Sequence, residues 1–242
     1  MSKPTLAWAM PMYGSVHRLV YESHMTAMGS LAKEGIVVTP KFVIVSNKMG
    51  LASASNKITQ AILDQKPDYI FWTEMDMVLP AYTVTRLLKH AQQYNIDVLS
   101  GVYFLRGSGQ PCLFKKVLEE KENPFYHTQM GTFPKNAIFE VGCPGVGCVL
   151  FKREVFEQLE FPYWDDRQGR CGQDIYFYTK LREKGIKVYA DSSVICDQID
   201  EDEPKLWTSK EYEEWLRKEG GHRSGFLQDD TKSIKLNDVE SR

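Results

Sequence analysis

Asp68-Tyr69-Ile70-Phe71-Trp72-Thr73-Glu74-Met75-Asp76-Met77-Val78-Leu79-Pro80 sets the frame for the rest of the chain. Its apolar run, Tyr69 to Trp72, has the length and aromatic content of a buried strand. The run stops at two carboxylates one residue apart, Glu74 and Asp76. A second apolar run follows, and Pro80 closes it. Acids at the carboxyl end of a buried strand lie where open α/β sheets bind ligands. Two acids spaced i, i+2 there can share one hard cation, which takes oxygen ligands. The plainer alternative is a solvated loop carrying two unrelated acids.

Upstream, Leu6 to Met10 reads as a first buried strand, and Pro11-Met12-Tyr13-Gly14 turns it. Val16, Leu19, Val20, Ala27 and Leu31 fall near helical spacing, and Gly35 ends that helix. Ile36 to Thr39 and Phe42 to Val45 are two further strand-like runs. The opening is a β-α-β unit. Met10 to Gly14 lacks both the GxGxxG of a dinucleotide fold and the GxxxxGK[ST] of a phosphate-binding loop. Asn47 to Ser55 reads as a polar loop whose Ser55 caps a helix with Ile58, Ala61 and Ile62 on its apolar face.

Downstream, Val84, Leu87, Leu88 and Ala91 repeat at i, i+3, i+4, i+7, a strong amphipathic helix. Val98 to Phe104 is a strand containing Gly101, and 106–140 reads as irregular. Val141 to Cys148 is rich in glycine, leads into Val149-Leu150-Phe151, and then a short helix, Arg153 to Leu159. Gly172-Gln173-Asp174 precedes a helix carrying Ile175, Tyr178 and Leu181. Ile186 to Ala190 and Val194 to Cys196 read as two strand pieces. From Asp200 acids and lysines dominate, with one short helix at Ser209 to Lys218, and Asp229 to Arg242 reads as a mobile tail.

The 242 residues are 43% hydrophobic with a formal net charge of −2. That composition suits one α/β domain over 1–200 with a C-terminal extension over 201–242. Near-neutral charge weighs against a broad nucleic-acid footprint. No segment reads as a signal peptide or transmembrane span, and five cysteines without CxxC spacing read as reduced thiols. These features predict a cytoplasmic protein. The histidines show no ligand pairing, and Trp8 and Trp72 read as core.

Three blocks in order resemble nucleotide-sugar-dependent glycosyltransferases of the GT-A fold, especially the family-2-like group. The first is Ala54-Ser55-Asn56-Lys57, its helix, and the acidic strand. The second is Val141 to Leu159. The third is Gly172-Gln173-Asp174-Ile175-Tyr176-Phe177 followed by Lys184 to Asp191. The resemblance covers roughly residues 5 to 200. It implies a Rossmann-like open sheet with helices on both faces. There are three departures. Glu74-x-Asp76 stands where the family has Asp-x-Asp, Gln173 where it has Glu, and Cys196-Asp197-Gln198 where many relatives carry a metal-binding His.

The resemblance implies a divalent cation, Mn2+ or Mg2+, on Asp76, with Glu74 on the metal or the donor ribose and Gln198 or Asp197 replacing the missing His. It implies Asp174 as the general base of an inverting transfer; the alternative is that Asp174 only caps its helix. The nucleotide of a UDP- or GDP-sugar is expected at the end of the first strand, near Pro11, Tyr13 and Asn56. Gly145 and Gly147 are expected to let backbone approach the sugar, Trp164 to form a sugar platform, and Gln173 to bind acceptor or donor sugar. The acceptor remains open among a glycan, a lipid-linked saccharide, a protein and hydroxymethylated DNA. Two other readings stand beside this one: a nucleotidyltransferase, and a degenerate module that binds sugar or nucleotide without transfer.

Overall fold

The structure is a computed structural model that describes residues 3–12, 14–44, 49–116, 127–167, 169, 171–200, 205–219 and 233–236. The chain opens with β1 (Thr5–Met12), α1 (Arg18–Lys33), β2 (Val37–Ile44), α2 (Leu51–Leu63) and β3 (Tyr69–Thr73). β4 (Met77–Val78), α3 (Thr83–Gln93) and β5 (Val98–Val102) follow. Next come β6 (Phe114–Lys116), β7 (His127–Gln129), β8 (Ala137–Val141), β9 (Cys148–Lys152) and α4 (Arg153–Glu157). α5 (Gln173–Glu183), β10 (Val188–Ile195), β11 (Asp197–Asp200), β12 (Lys205–Trp207), α6 (Ser209–Glu219) and β13 (Ser233–Lys235) complete it.

Eight strands form one mixed sheet in the order β13-β8-β10-β5-β9-β3-β1-β2. β1 runs parallel to β2 and β3, and β5 parallel to β10. β9 lies antiparallel between β3 and β5. It follows that β1, β2, β3, β5 and β10 all point the same way, and their carboxyl ends share one edge. Alternation along each strand sends side chains to two cores. Ala7, Ala9, Ile70 and Trp72 meet Ile58 and Ile62 of α2, Phe156 of α4 and Phe177 of α5. Leu6, Trp8 and Phe71 meet Ala27 and Leu31 of α1 and Val84, Leu87 and Leu88 of α3 on the other face. Burial on both faces explains why the strand before Glu74 is apolar throughout rather than alternating.

Several expectations are corrected. α2 begins at Leu51 with Gly50 as its N-cap, so Ser55 is a fully buried helical residue rather than the cap. Ala52 and Ala54 favour helix and extend it backwards. The two runs before residue 45 form one edge strand, where Pro40 is tolerated. β8 lies inside the stretch read as irregular. The two last pieces form one strand, β10, with a register shift between Asp191 and Ile195. Asp191 Oδ1 accepts hydrogen bonds from Ser193 N and Oγ at 2.9 and 2.7 Å, which keeps the polar pair inside the strand. The segment read as a tail includes β13, which pairs with β8.

The acid-bearing loop is held from behind by α1. His24 Nε2 donates to Met77 O at 3.0 Å, and Leu79 N donates to Ser23 Oγ at 3.1 Å. Burial drives the His24 imidazole down to about 4, against the Met77 bond that raises it. Between about pH 6.5 and 4 the unfolded chain therefore binds a proton that the folded chain refuses. The resulting loss of stability is absent above about pH 6.5 and grows as pH falls, reaching about 3 kcal/mol below pH 4. Urea unfolding at pH 7 and pH 4.5 measures it. The parent is expected to lose roughly 2–3 kcal/mol more than His24→Gln, whose amide still reaches a carbonyl but does not titrate. Equal losses in both proteins would show that His24 carries no such load.

Candidate active site at the carboxyl edge of the sheet

Chain direction alone brings the candidate residues together. β1 delivers Pro11, buried, to the shared edge, and β3 delivers Glu74 and Asp76 just beyond Thr73. Because β9 runs the other way, the Gly145–Gly147 segment before it lies at the same edge. β11 returns beside β4, pairing Gln198 with Met77 and Asp197 with Val78. Gln198 Nε2 then donates to Asp76 Oδ2 at 2.8 Å, and Ile199 N donates to Asp76 O at 2.8 Å. Arg106, beyond β5, places Nη1 3.5 Å from the same Oδ2.

The electrostatics join these elements. Burial, then the charges of Asp76 and Asp174, push the Glu74 carboxyl up to about 8, while Arg106 pulls it down. Burial raises Asp76 as well, opposed by the Gln198 amide and Arg106. Beneath them, burial holds the phenols of Tyr103 and Tyr178 well above their ordinary range, so both remain hydrogen-bond donors. Tyr178 Oη donates to Gly145 O at 2.6 Å, and Gly147 N donates to Tyr103 Oη at 3.2 Å.

Two buried oxygens, Asp76 Oδ1 and Gln198 Oε1, have no hydrogen-bond partner. Unpaired buried oxygens are costly unless something positive meets them. One carboxylate and one amide oxygen, with Glu74 adjacent, make a hard-oxygen donor set whose remaining positions can take phosphate oxygens. The residues present therefore fit a divalent cation shared with a diphosphate. Among the described residues no cluster of three or more His, Cys, Asp or Glu side chains forms a protein-only metal cage.

Asp174 is the second residue of α5, whose N-cap is Gly172. Asp174 Oδ1 accepts from Ile175 N at 2.8 Å. A Cβ on Gly172 would run into that same oxygen. Gln173, beside it, is buried with neither amide atom paired. A buried amide with neither atom paired is costly.

Other expected site residues turn out to hold structure. Trp164 is 1% exposed. Its ring stacks on Phe177 at 4.2 Å and lies 4.7 Å from Trp72, and its Nε1 donates to Thr59 Oγ1 at 2.8 Å. It offers no face to a sugar. Asn56 uses its whole amide to pin that loop. Nδ2 donates to Ala52 O and Trp164 O, and Oδ1 accepts from Tyr163 N and Trp164 N. Nothing is left for a nucleotide. Gly145 and Gly147 make room for Tyr103. Gly145 has φ of +62° and a Cβ there would strike Tyr103 Oη, while a Cβ on Gly147 would lie 2.8 Å from the Tyr103 ring and 2.9 Å from Met77 Sδ. Tyr13 lies outside the described residues. Asp197 pairs with Val78 one position away from Gln198, so it is Gln198 that reaches Asp76.

The sequence reading missed Arg106 and Tyr103. A cation four residues past a buried strand, followed by Gly107-Ser108-Gly109, was an available sign of a site turn at the strand's end. It also missed Trp207, which β12 sets directly opposite Gln198. The open cleft of about 530 Å³ lined by Asp68, Tyr69, Asp97, Lys152 and Glu154 lies at the start of β3, the far end of the strand from the acids.

No protein-family model and no curated protein matches the chain. Solved structures match in fold. A197 from STIV matches with a TM-score of 0.58 at 20% identity, over 83% of this chain and 92% of that one. GalNAc-T7, solved with UDP, GalNAc and Mn2+, matches with a TM-score of 0.55 at 10% identity, over 89% of this chain and 48% of that one. The catalytic domain of Drosophila β1,4-galactosyltransferase 7, in complex with xylobiose, has a TM-score of 0.45 at 17% identity, over 78% and 65%. At such identities the likeness is one of architecture: the chain has an open α/β sheet of the GT-A type.

Proposed function

We propose that this protein is a nucleotide-sugar-dependent glycosyltransferase that moves a sugar from a nucleoside-diphosphate sugar to an acceptor hydroxyl with inversion. The observation that supports this most is the meeting of acids from separate elements at the sheet's carboxyl edge. Glu74 and Asp76 follow β3, Asp174 lies in the first turn of α5, and the Asp174 charge is felt at Glu74. GT-A architecture, with its ligand edge at the same place, agrees with this.

In this reading Asp76 and Gln198, whose Oδ1 and Oε1 lack partners, would hold a divalent cation, Mn2+ or Mg2+, and Glu74 would serve the metal or the donor ribose. When bound, that ion supplies positive charge to the diphosphate as it leaves. Asp174 accepts the proton of the acceptor hydroxyl as that oxygen attacks the anomeric carbon. Asp174 lies in the first turn of α5, where the helix dipole favours a negative charge. Gln173 uses its unpaired amide to hold a sugar hydroxyl. Pro11 borders the nucleotide at the end of β1. A glycan, a lipid-linked saccharide and a protein all present a suitable hydroxyl, and near-neutral charge places DNA behind them. Five free cysteines agree with a cytoplasmic setting, and among the described residues no helix is long and apolar enough to cross a membrane.

Thermal stabilisation by UDP and GDP, with and without Mn2+, tests the reading. A ligand at about 100 times its Kd stabilises the native state by about 2.7 kcal/mol, several degrees for a chain of this size. UDP with Mn2+ heads the panel because a fold neighbour was solved with both. A cation-dependent shift is expected. No shift with any nucleotide would sink the transferase and the nucleotidyltransferase together, and a shift without transfer to any acceptor would favour the degenerate module.

A further inference from the structure

Beside the acid pair stands a cation that the chemistry above leaves unused. β5 ends at Val102, and Tyr103-Phe104-Leu105-Arg106 carries the chain off the same edge as Glu74 and Asp76. A tight turn follows: Leu105 N donates to Gln110 O at 2.8 Å and Gly109 N to Leu105 O at 2.9 Å. Gly109, with φ of +71°, sits close under α6, where a Cβ would come 3.0 Å from Glu211 O. Arg106 is thus presented by a turn held at both ends. Its side chain is about half exposed, at 47%, while that of Asp76 is 10% exposed.

We propose that Arg106 binds the diphosphate of the donor: its guanidinium pairs with Asp76 Oδ2 while the site is empty and passes to phosphate oxygens when a nucleoside diphosphate enters, which removes a competing positive charge from beside Asp76. This rests on the nucleotide-sugar reading. The contact it gives up is a weak one. At 3.5 Å the pair is long for a charge-assisted hydrogen bond, and the arginine side chain is already about half in solvent. Asp76 Oδ2 also keeps the Gln198 amide at 2.8 Å after Arg106 leaves. The contact it gains is of the stronger kind, since the guanidinium fork matches phosphate geometry and charge-assisted hydrogen bonds are about twice as strong as neutral ones.

The surrounding charge calls for such a residue. Asp174 acts on Glu74 and Asp200 acts on Asp76, each raising a carboxyl that burial already raises. A diphosphate approaching this acid cluster meets carboxylate charge, including that of Asp174 and Asp200. Arg106 is the positive group that acts on both members of the acid pair. Its guanidinium lies 3.5 Å from Asp76, within reach of a phosphate group bound at that acid. A cation in that position raises both the encounter rate and the affinity for an anionic ligand.

Calorimetric titration of UDP and GDP into the parent, Arg106→Gln and Arg106→Lys, in EDTA and then in Mn2+, tests the proposal, with Mn2+ alone as a separate titration. Arg106→Gln is expected to weaken the better-bound nucleotide by about 10–100-fold in both conditions. Arg106→Lys recovers part of that loss, because it restores the charge without the fork. Mn2+ alone is expected to bind Arg106→Gln more tightly than the parent, since a competing cation has been removed from Asp76. Parent-like UDP and GDP affinity in Arg106→Gln overturns the proposal and leaves the transferase reading standing. Weaker Mn2+ binding in that variant also overturns it, since Arg106 would then be positioning Asp76. If the parent takes neither nucleotide with or without Mn2+, the transferase reading falls and the Arg106 role falls with it.

Discussion

Asp174→Asn is expected to bind the nucleotide with parent affinity and to lose transfer by about 10²–10⁴-fold, the range a positioned general base contributes. The substitution separates two roles that share one side chain. Asp174 Oδ1 accepts from Ile175 N at the start of α5, and an Asn oxygen can accept the same bond. Gly172 leaves room for that oxygen, and Asn has the same shape there. A residue that only caps the helix therefore changes little in stability or turnover when it becomes Asn. A residue that takes the acceptor's proton loses the group that does so, because an amide has no comparable basicity. Single-turnover transfer and nucleotide Kd are the paired measurements. Parent-rate transfer by the variant would leave Asp174 as a cap, and inversion would need another base.

Trp164→Ala is expected to cost about 3–5 kcal/mol of stability, typical of a large aromatic removed from a core. For a chain of this size that is a drop on the order of 10 °C in Tm. The reason is threefold. The ring is fully buried, it stacks on Phe177 at 4.2 Å, and its Nε1 bonds Thr59 Oγ1 at 2.8 Å, which would be left without that partner. The same substitution distinguishes the core role from the sugar-platform expectation. A platform residue would melt like the parent and bind donor sugar more weakly. A core residue melts early and, where still folded, keeps the parent Kd for UDP. Denaturant unfolding together with UDP titration below the transition gives both numbers.

How far the site was legible differs from residue to residue. The placement of Glu74 and Asp76 at a strand's end was legible because a strand buried on both faces is apolar throughout, and acids that end it stand out. Asp174 was legible only through its block, Gly172-Gln173-Asp174, at the start of a helix. Trp164 was misread because an aromatic in a charged loop looks exposed. Its burial depends on Phe177 and Trp72, which lie far from it in sequence. Asn56 was misread for the same reason: its four partners belong mostly to the loop at Tyr163 and Trp164. The buried pair of His90 Nδ1 and Asp191 Oδ2 at 2.6 Å, joining α3 to β10, leaves no trace in local spacing.

Taken alone, the sequence determined what depends on neighbours along the chain: the apolar strand and its terminal acids, the periodic face of α3, the β-α-β opening and the helix at Asp174. Those follow from patterns of period two and near four, which local backbone geometry imposes. Tertiary structure alone decided which distant groups share one space. The pairing of β11 with β4 set Gln198 against Asp76, the exit of β5 brought Arg106 to the same acid, the packing of Phe177 and Trp72 turned Trp164 inward, and the loop at Tyr163 and Trp164 took up the Asn56 amide. Such contacts depend on strand order and direction, which sheet pairing fixes only once the whole chain is folded.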